Sequence, residues 1–181
     1  MARSPLRHAA LLRGINVGGK HIVPMADLRR LFEAAGATDV ATYVQSGNVV
    51  FRAPANRLSS LAKKVGASLE QEFGFAVPLV TRSGVELLAA AEAYPFDVPD
   101  KERHVGFCAR RPTATAIGSL DPDRSPPDRF AADGAHIYLH CPRGLARTKL
   151  TNDYFDRALG TTTTFRNWNT TKRLIQMIQA G

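Results

Sequence analysis

Polar side chains able to bind a ligand are concentrated in two blocks of this sequence. The first lies between Leu11 and Phe51, where a glycine-rich loop and a Gln-Ser-Gly-Asn turn interrupt apolar runs. The second surrounds an Arg-Asn-Trp sequence near the C-terminus. Proteins usually build binding sites where buried elements end, so these blocks are the predicted ligand contacts. The predicted ligand-binding residues are Arg13, Asn16, Gly18, Gly19, Lys20, Gln45, Ser46, Asn48, Lys149, Arg166, Asn167 and Trp168.

The segment GINVGGKH, which begins at Gly14, has the spacing GxxxxGK with which a P-loop begins. In a P-loop the next residue is a serine or threonine that binds Mg²⁺, and a helix begins at once. Here a histidine follows the lysine and a proline delays the helix, so the pattern does not predict a nucleoside triphosphatase. Two alternatives remain. Gly18 and Gly19 serve a turn that needs positive φ, or their N–H groups bind an anion beside Lys20.

The other polar residues of the two blocks also have two interpretations. Amide groups of Gln45 and Asn48 can pair with the edge of a base, and Trp168 can stack on one. Alternatively, Ser-Gly-Asn forms an ordinary turn, Asn167 caps a helix, and Trp168 fills a core. The cations predicted to contact phosphate are Arg13, Lys20, Lys149 and Arg166.

Aromatic and imidazole side chains alternate along one predicted strand, where His136, Tyr138 and His140 share a face. The two histidines lie about 13 Å apart at the usual rise per residue, too far for one metal ion without another ligand. A platform for stacking bases is more consistent with the pattern. The sequence predicts no metal site and no cofactor.

Composition limits the class of protein. The 181 residues, 44% of them hydrophobic, suffice for one substantial core or two small subdomains. A net charge of +8 favours phosphate-bearing partners, although a high-GC genome rich in arginine codons explains the same excess. Two cysteines without a CxxC motif supply no disulfide framework. Because no run is apolar enough for a membrane span or a secretion signal, we expect a cytoplasmic protein with no membrane contact.

Hydrophobic periodicity predicts the order β-α-β-β-α-β in each half of the chain, beginning with a strand over 8–17. The halves share further signals, since Gly74 and Gly160 each end the second helix of their half. We therefore predict an α+β fold of two ferredoxin-like (βαββαβ) subdomains that arose by duplication within one compact chain. The predicted boundaries are 1–95, which includes a linking helix, and 96–181.

Five segments carry a family resemblance: LLRGINVGGK, VPMADLRRLFEAAG, TYVQSGNVVF, GLARTKLTNDYFDRALG and TTTFRNWNT. They resemble the signature blocks of the bacterial family catalogued as domain of unknown function 1697, in the same order and across essentially the whole chain. The resemblance implies a compact α+β protein. It implies no activity, because none is assigned to the family, and the catalytic residues stay unknown. At His21 the chain departs from the family, where a small polar residue is more common.

The best hypothesis from the sequence is a cytosolic binding protein for a nucleic acid or nucleotide, held in a basic cleft between the two subdomains. The alternative is an enzyme acting on a small phosphorylated or acidic metabolite, with Lys20 or His21 transferring protons. A third is a structural or regulatory partner protein with an exposed apolar patch. The sequence leaves open whether the protein is an enzyme and what its oligomeric state is.

Overall fold

The computed structural model describes residues 6–180, which form two compact units. Of the described residues, the first unit contains 6–87 and 174–180, and the second contains Leu88–Arg173. Each unit contains a four-stranded antiparallel sheet with helices, so the predicted α+β class is confirmed.

The first unit is built on a sheet with the strand order β2-β3-β1-β4, in which every pair of neighbours is antiparallel. Two helices separate its strands and a third follows the last strand. The elements in chain order are β1 (Arg7–Leu12), α1 (Met25–Ala34), β2 (Thr38–Tyr43), β3 (Asn48–Arg52), α2 (Leu58–Phe73), β4 (Leu79–Ser83) and α3 (Gly84–Glu92). The unit boundary falls within α3, after Leu87.

The core of the first unit forms where α1 and α2 bury apolar stripes against the sheet. Leu28 and Phe32 recur at helical spacing in α1, as Leu61 and Val65 do in α2. These side chains pack with alternate residues of β1 and β3, including Phe51. Burial of the two stripes therefore fixes which face of each helix meets the sheet.

The first strand is shorter than the sequence predicts. It ends at Leu12 rather than at residue 17, because Gly14 and Asn16 adopt φ values of 77° and 54° that a strand cannot contain. The residues after Leu12 therefore form a loop, and this loop carries most of the first predicted block.

The second unit has the strand order β6-β7-β5-β8, again with antiparallel neighbours throughout. The predicted hairpin across Asp133 and Gly134 is confirmed, since it joins the first two of these strands. The elements in chain order are β5 (Arg103–Cys108), α4 (Ala114–Gly118), β6 (Arg129–Asp133), β7 (His136–His140), α5 (Asn152–Leu159), β8 (Thr163–Asn167) and α6 (Trp168–Gln179). The unit boundary falls within α6, after Arg173.

The core of the second unit is centred on Phe155, which α5 buries beside Leu159. Phe155 packs against Phe165 of β8 and Phe130 of β6, with ring centroids 5.4 and 5.9 Å apart. Both cysteines of the chain are buried in this core and neither forms a disulfide. The helix α5 thus makes aromatic contacts with both edge strands of the sheet, β6 and β8.

Within residues 6–180, none of the helices combines the length and apolar character needed to cross a membrane. No three histidine, cysteine, aspartate or glutamate side chains converge there as the ligands of a metal ion would.

Candidate functional site

The glycine-rich loop of the first unit is a tight hairpin over residues 16–21. Gly18 and Gly19 have φ values of 58° and 71°, and the N–H of Lys20 donates to the carbonyl of Val17 over 3.1 Å. Positive φ at both central residues defines a type I′ turn, which glycine adopts without strain. The turn interpretation of the two glycines is therefore confirmed, and α1 begins only at Met25. The loop does not have the geometry of a P-loop.

Asn16 holds this hairpin in place with its side-chain amide. Its Nδ2 donates to the carbonyls of Val23 and Gln45 over 2.9 and 2.8 Å, and its Oδ1 accepts from the Val23 N–H over 2.8 Å. The donors and the acceptor of the amide are thus all engaged in backbone contacts. Asn16 positions the loop rather than presenting its own amide to a ligand.

His21 closes the base of the same hairpin. Its Nδ1 lies 3.0 Å from the carbonyl oxygen of Gly14, which can only accept, so Nδ1 carries the proton. The ring stacks on Phe75 with centroids 4.3 Å apart. The imidazole therefore has a structural role in the loop.

The Gln45-Ser46-Gly47-Asn48 turn divides into exposed and buried halves. The side chains of Gln45 and Ser46 are exposed. Gly47 and Asn48 are buried, and the Asn48 Nδ2 donates to the Tyr43 carbonyl and to the Ser46 hydroxyl, both over 3.1 Å. Asn48 is therefore a turn-forming residue, and Gln45 and Ser46 are the members that a ligand can reach.

Arg13 and Lys20 are the cations of this block. Lys20 is exposed, and its ammonium group contacts no polar atom of residues 6–180. Arg13 is half-buried, with its N–H donating to the Pro78 carbonyl over 2.9 Å. Both therefore extend from a loop whose backbone is fixed by hydrogen bonds.

In the second unit, Lys149 lies in the loop before α5. Its N–H donates to the hydroxyl of Ser125 over 3.0 Å, and its carbonyl accepts from the Nε of Arg124 over 2.9 Å. The backbone of Lys149 is thus fixed while its side chain remains exposed. This residue stays a predicted phosphate contact.

The Arg-Asn-Trp block is used within the second unit itself. The Arg166 guanidinium is buried, where it donates to the Thr164 hydroxyl and the Phe165 carbonyl over 2.9 Å each, and burial lowers its pKa to about 10. The Asn167 Oδ1 accepts from the Thr170 N–H over 2.8 Å, as a helix cap does. Because these contacts engage both side chains within the second unit, Arg166 and Asn167 have structural roles.

Trp168 is buried in an aromatic cluster of the second unit. Its ring centroid lies 5.2 Å from that of Tyr94, and the Arg103 guanidinium lies 5.4 Å from the same indole. A buried indole flanked in this way packs a core. These contacts support the prediction that Trp168 fills a core rather than the prediction that it stacks on a base.

The strand that was predicted to stack bases, β7, has most of its aromatic and imidazole side chains buried. His136, Tyr138 and His140 share a face of β7, as their alternation predicts, but Tyr138 is 1% and His140 is 9% exposed. The His140 Nε2 lies 2.9 Å from the Glu102 carboxylate, and its Nδ1 accepts from Arg129 over 3.3 Å. The platform hypothesis is therefore wrong, because tertiary packing covers two of the three rings that would have to be open, and only His136 is half-buried.

Comparison with known proteins places the chain in a family. The sequence profile of the family described as "Protein of unknown function (DUF1697)" matches residues 6–138. The chain belongs to this family. The match includes the 16–21 hairpin and the Gln45–Ser46 turn, so the resemblance of those segments is confirmed. No curated protein matches the chain.

A solved structure supports the fold. The conserved bacterial protein SP0830 from Streptococcus pneumoniae aligns with a TM-score of 0.71 and 23% sequence identity, over 96% of this chain and 98% of its own. A second structure, described as a putative glycine cleavage system transcriptional repressor, aligns at 11% identity over 90% of this chain and 96% of its own, with a TM-score of only 0.23. At 23% identity the first structure supports the fold of this chain and nothing about a ligand or an activity.

Sequence reasoning missed several basic residues that line pockets. Arg57 and Lys64 line a pocket in the first unit, and Arg124 and Arg157 line another in the second. One signal was present in the sequence. Arg57 directly precedes α2 and lies seven residues, about two helical turns, before Lys64, so the two side chains lie on the same side. No such signal links Arg124 to Arg157, because a loop and a strand hairpin separate them.

Proposed function

We propose that the protein binds a phosphate-containing ligand, a nucleic acid or a nucleotide, through the loops at one end of its first sheet. The observation that carries the proposal is the hydrogen bond from Asn16 to the carbonyl of Gln45. This bond joins the 16–21 hairpin to the turn after β2, so two separate family blocks form one exposed loop surface. We define the loop surface as Arg13, Lys20, Gln45 and Ser46.

The charge of the loop surface favours an anionic ligand. The segments 13–24 and 40–57 contain no aspartate or glutamate, so the charged residues of both segments are all basic. Cations that are held by a fixed backbone attract phosphate oxygens without a large ordering cost. Arg13 and Lys20 would contact phosphate, because a guanidinium and an ammonium group bind phosphate oxygens by charge-assisted hydrogen bonds.

The polar and apolar neighbours suit a base or a sugar. The amide of Gln45 can donate and accept at once, and the Ser46 hydroxyl adds a further donor. Val17, Ile22 and Val44 are 62%, 55% and 50% exposed beside these groups. Apolar side chains beside hydrogen-bonding groups match a nucleotide, which combines a flat apolar face with polar edges.

The proposal is tested by fluorescence anisotropy with labelled single-stranded RNA and DNA, and by competition with nucleotides. Lys20→Glu is expected to weaken binding at least about tenfold, because it replaces a phosphate contact by a repelling charge. Arg29→Glu is the matched control, because Arg29 is an exposed cation of the same unit outside the loop surface. Wild-type affinity should also fall steeply with salt. Equal losses in the two variants, or binding that ignores salt, would refute the proposal.

We also propose that the two units arose by duplication of one ferredoxin-like βαββαβ unit, as the predicted subdomains 1–95 and 96–181 require. Three observations support this origin: both units have the same order of elements, both sheets have the corresponding strand order, and the second helix of each unit ends at a glycine with positive φ. The glycines are Gly74 and Gly160, with φ values of 79° and 63°.

A further inference from the structure

Each unit contains a pocket beside the start of its second helix. In the first unit the pocket lies between the end of α1 and the start of α2, with a volume of about 340 Å³. In the second unit it lies between the segment after α4 and the start of α5, with a volume of about 590 Å³. The first pocket is lined by Ala35, Gly36, Ala53, Arg57, Ser60, Leu61 and Lys64. The second pocket is lined by Arg124, Thr151, Asp153, Tyr154, Arg157 and Ala158.

The two pockets occupy corresponding positions in the order of elements. Counted from the first helical residue, the pocket is lined in both units by the residue before the helix, by the third residue and by the seventh. These pairs are Arg57 with Thr151, Ser60 with Tyr154, and Lys64 with Ala158. The correspondence does not depend on sequence identity, since none of the three pairs is identical.

The first pocket has a purely positive lining. Arg57 and Lys64 lie two turns apart on one face of the chain, and neither side chain forms an ion pair or hydrogen bond with residues 6–180. The first turn of α2 contains no acidic residue, and the Ser60 hydroxyl donates to the Arg57 carbonyl over 2.9 Å, which leaves the two cations as the ligand-binding groups of the pocket. Two unneutralised cations in one concave site are suited to a doubly charged anion such as a phosphate group.

The second pocket has a more organised but less positive lining. The Arg124 guanidinium lies 4.1 Å from the centroid of the Tyr154 ring, and its Nε donates to the Lys149 carbonyl over 2.9 Å. This arrangement holds the planar group while its terminal nitrogens contact no other polar atom of residues 6–180. Arg157 lines the same pocket, and Asp153 offsets one of the two charges. The second pocket should therefore bind the same anion more weakly.

We infer that the protein has two phosphate-binding pockets, one in each unit, formed by Arg57 and Lys64 in the first and by Arg124 and Arg157 in the second. The ligand is a phosphate group, either free or carried by a nucleic acid. This inference goes beyond the loop surface, because none of the four cations belongs to it. The two proposals can therefore fail separately.

Titration with inorganic phosphate, followed by amide chemical shifts in NMR, tests the inference pocket by pocket. Backbone signals of Gly36 and Ser60 report on the first pocket, and those of Thr151 and Tyr154 on the second. Saturable shifts are expected at both, with tighter binding at the first pocket, and sodium chloride of equal ionic strength should not reproduce them. Absent shifts, or shifts that chloride reproduces, would overturn the inference.

Substitution of the pocket cations shows which side chains are responsible for the phosphate-induced chemical-shift changes at each pocket. Arg57→Gln with Lys64→Gln should weaken phosphate binding at the first pocket by about tenfold or more and leave the second unchanged. Arg124→Gln with Arg157→Gln should have the converse effect. Lys63→Gln is the matched control for charge, because Lys63 is an exposed cation next to Lys64 that does not line the pocket. Losses as large in the control as in the pocket variants would contradict the assignment.

A short single-stranded RNA separates the two sources of phosphate and the two proposals. If the pockets receive nucleic-acid phosphates, RNA shifts the same signals and the pocket variants weaken RNA binding. If they receive free phosphate, only the inorganic ion shifts them. Because Lys20 lines neither pocket, Lys20→Glu should leave the phosphate-induced shifts of the pocket signals unchanged in either case. A loss of phosphate shifts in that variant would show that the pockets are not independent sites and would overturn the inference as stated.

Discussion

The side chain of Asn16 and the backbone of Gln45 are joined by a hydrogen bond of 2.8 Å, although the two residues lie 29 positions apart. The same side chain also bonds both polar backbone groups of Val23. One amide thus connects a hairpin, the segment that precedes α1 and the turn between two strands. Asn16 therefore contributes directly to the shape of the loop surface.

Replacing Asn16 tests that dependence. Asn16→Ala removes three hydrogen bonds and leaves backbone groups unpaired, so we expect a loss of about 1–3 kcal/mol in the free energy of unfolding. Alanine at a φ of 54° adds strain. Chemical denaturation gives the measurement. Asn16→Gly separates the causes, because glycine relieves the strain but not the lost bonds; stability equal to the wild type in that variant would show that the bonds contribute nothing.

Gly47 is required by space as well as by conformation. A Cβ at this position would lie 2.7 Å from the Cβ of Leu12, and φ is 88°. Gly47→Ala should therefore destabilise the protein by about 2–4 kcal/mol, from overpacking together with left-handed strain. Gly18→Ala is the control, since its φ is 58° in open space and only the strain of about 1–2 kcal/mol applies. Similar thermal midpoints for the two variants would contradict the packing argument.

Two buried histidines should make stability depend on pH. Burial lowers the pKa of His8 and of His104 below the ordinary 6.5, although hydrogen bonds to backbone carbonyls oppose the shift. Below pH 6.5 the unfolded chain therefore binds more protons than the folded one, so stability falls as the pH decreases from 6.5 towards the lowered values. Urea denaturation at several pH values measures the slope.

His104→Gln provides the comparison for this pH dependence. The variant should lose part of the slope below pH 6.5 while keeping the contribution of His8. A slope identical to that of the wild type would show that His104 does not titrate in this range.

The thiol groups should be protected in the folded protein. Cys108 and Cys141 are buried, and burial raises the pKa of Cys141 to about 12, with the Asp128 carboxylate adding to the rise. Because the thiolate is the reactive species, neither cysteine should react with a thiol reagent at pH 8 within minutes. Both should react once the protein is unfolded in denaturant. Rapid labelling of the native protein would contradict the burial of these side chains.

Local signals were sufficient to predict the elements of both units. The apolar spacing of Leu28 and Phe32 marked α1, and Gly74 marked the end of α2. The Asp133-Gly134 pair located the second hairpin. Errors occurred where left-handed residues stopped an element early, as Asn16 and its neighbours do after β1, because the sequence does not reveal a positive φ at a residue other than glycine.

The sequence by itself determined the α+β class, the order of the elements and the membership of the chain in its family, since these depend on periodicity and short-range turn chemistry. Tertiary structure decided which polar side chains a ligand can reach. Gln45 and Asn48 are close in sequence and similar in chemistry, yet one is exposed and the other is buried. Arg166 and Lys149 are both basic, yet Arg166 is buried and Lys149 is exposed. Such differences come from contacts between distant segments, and no local pattern records which side of a turn the rest of the chain will cover.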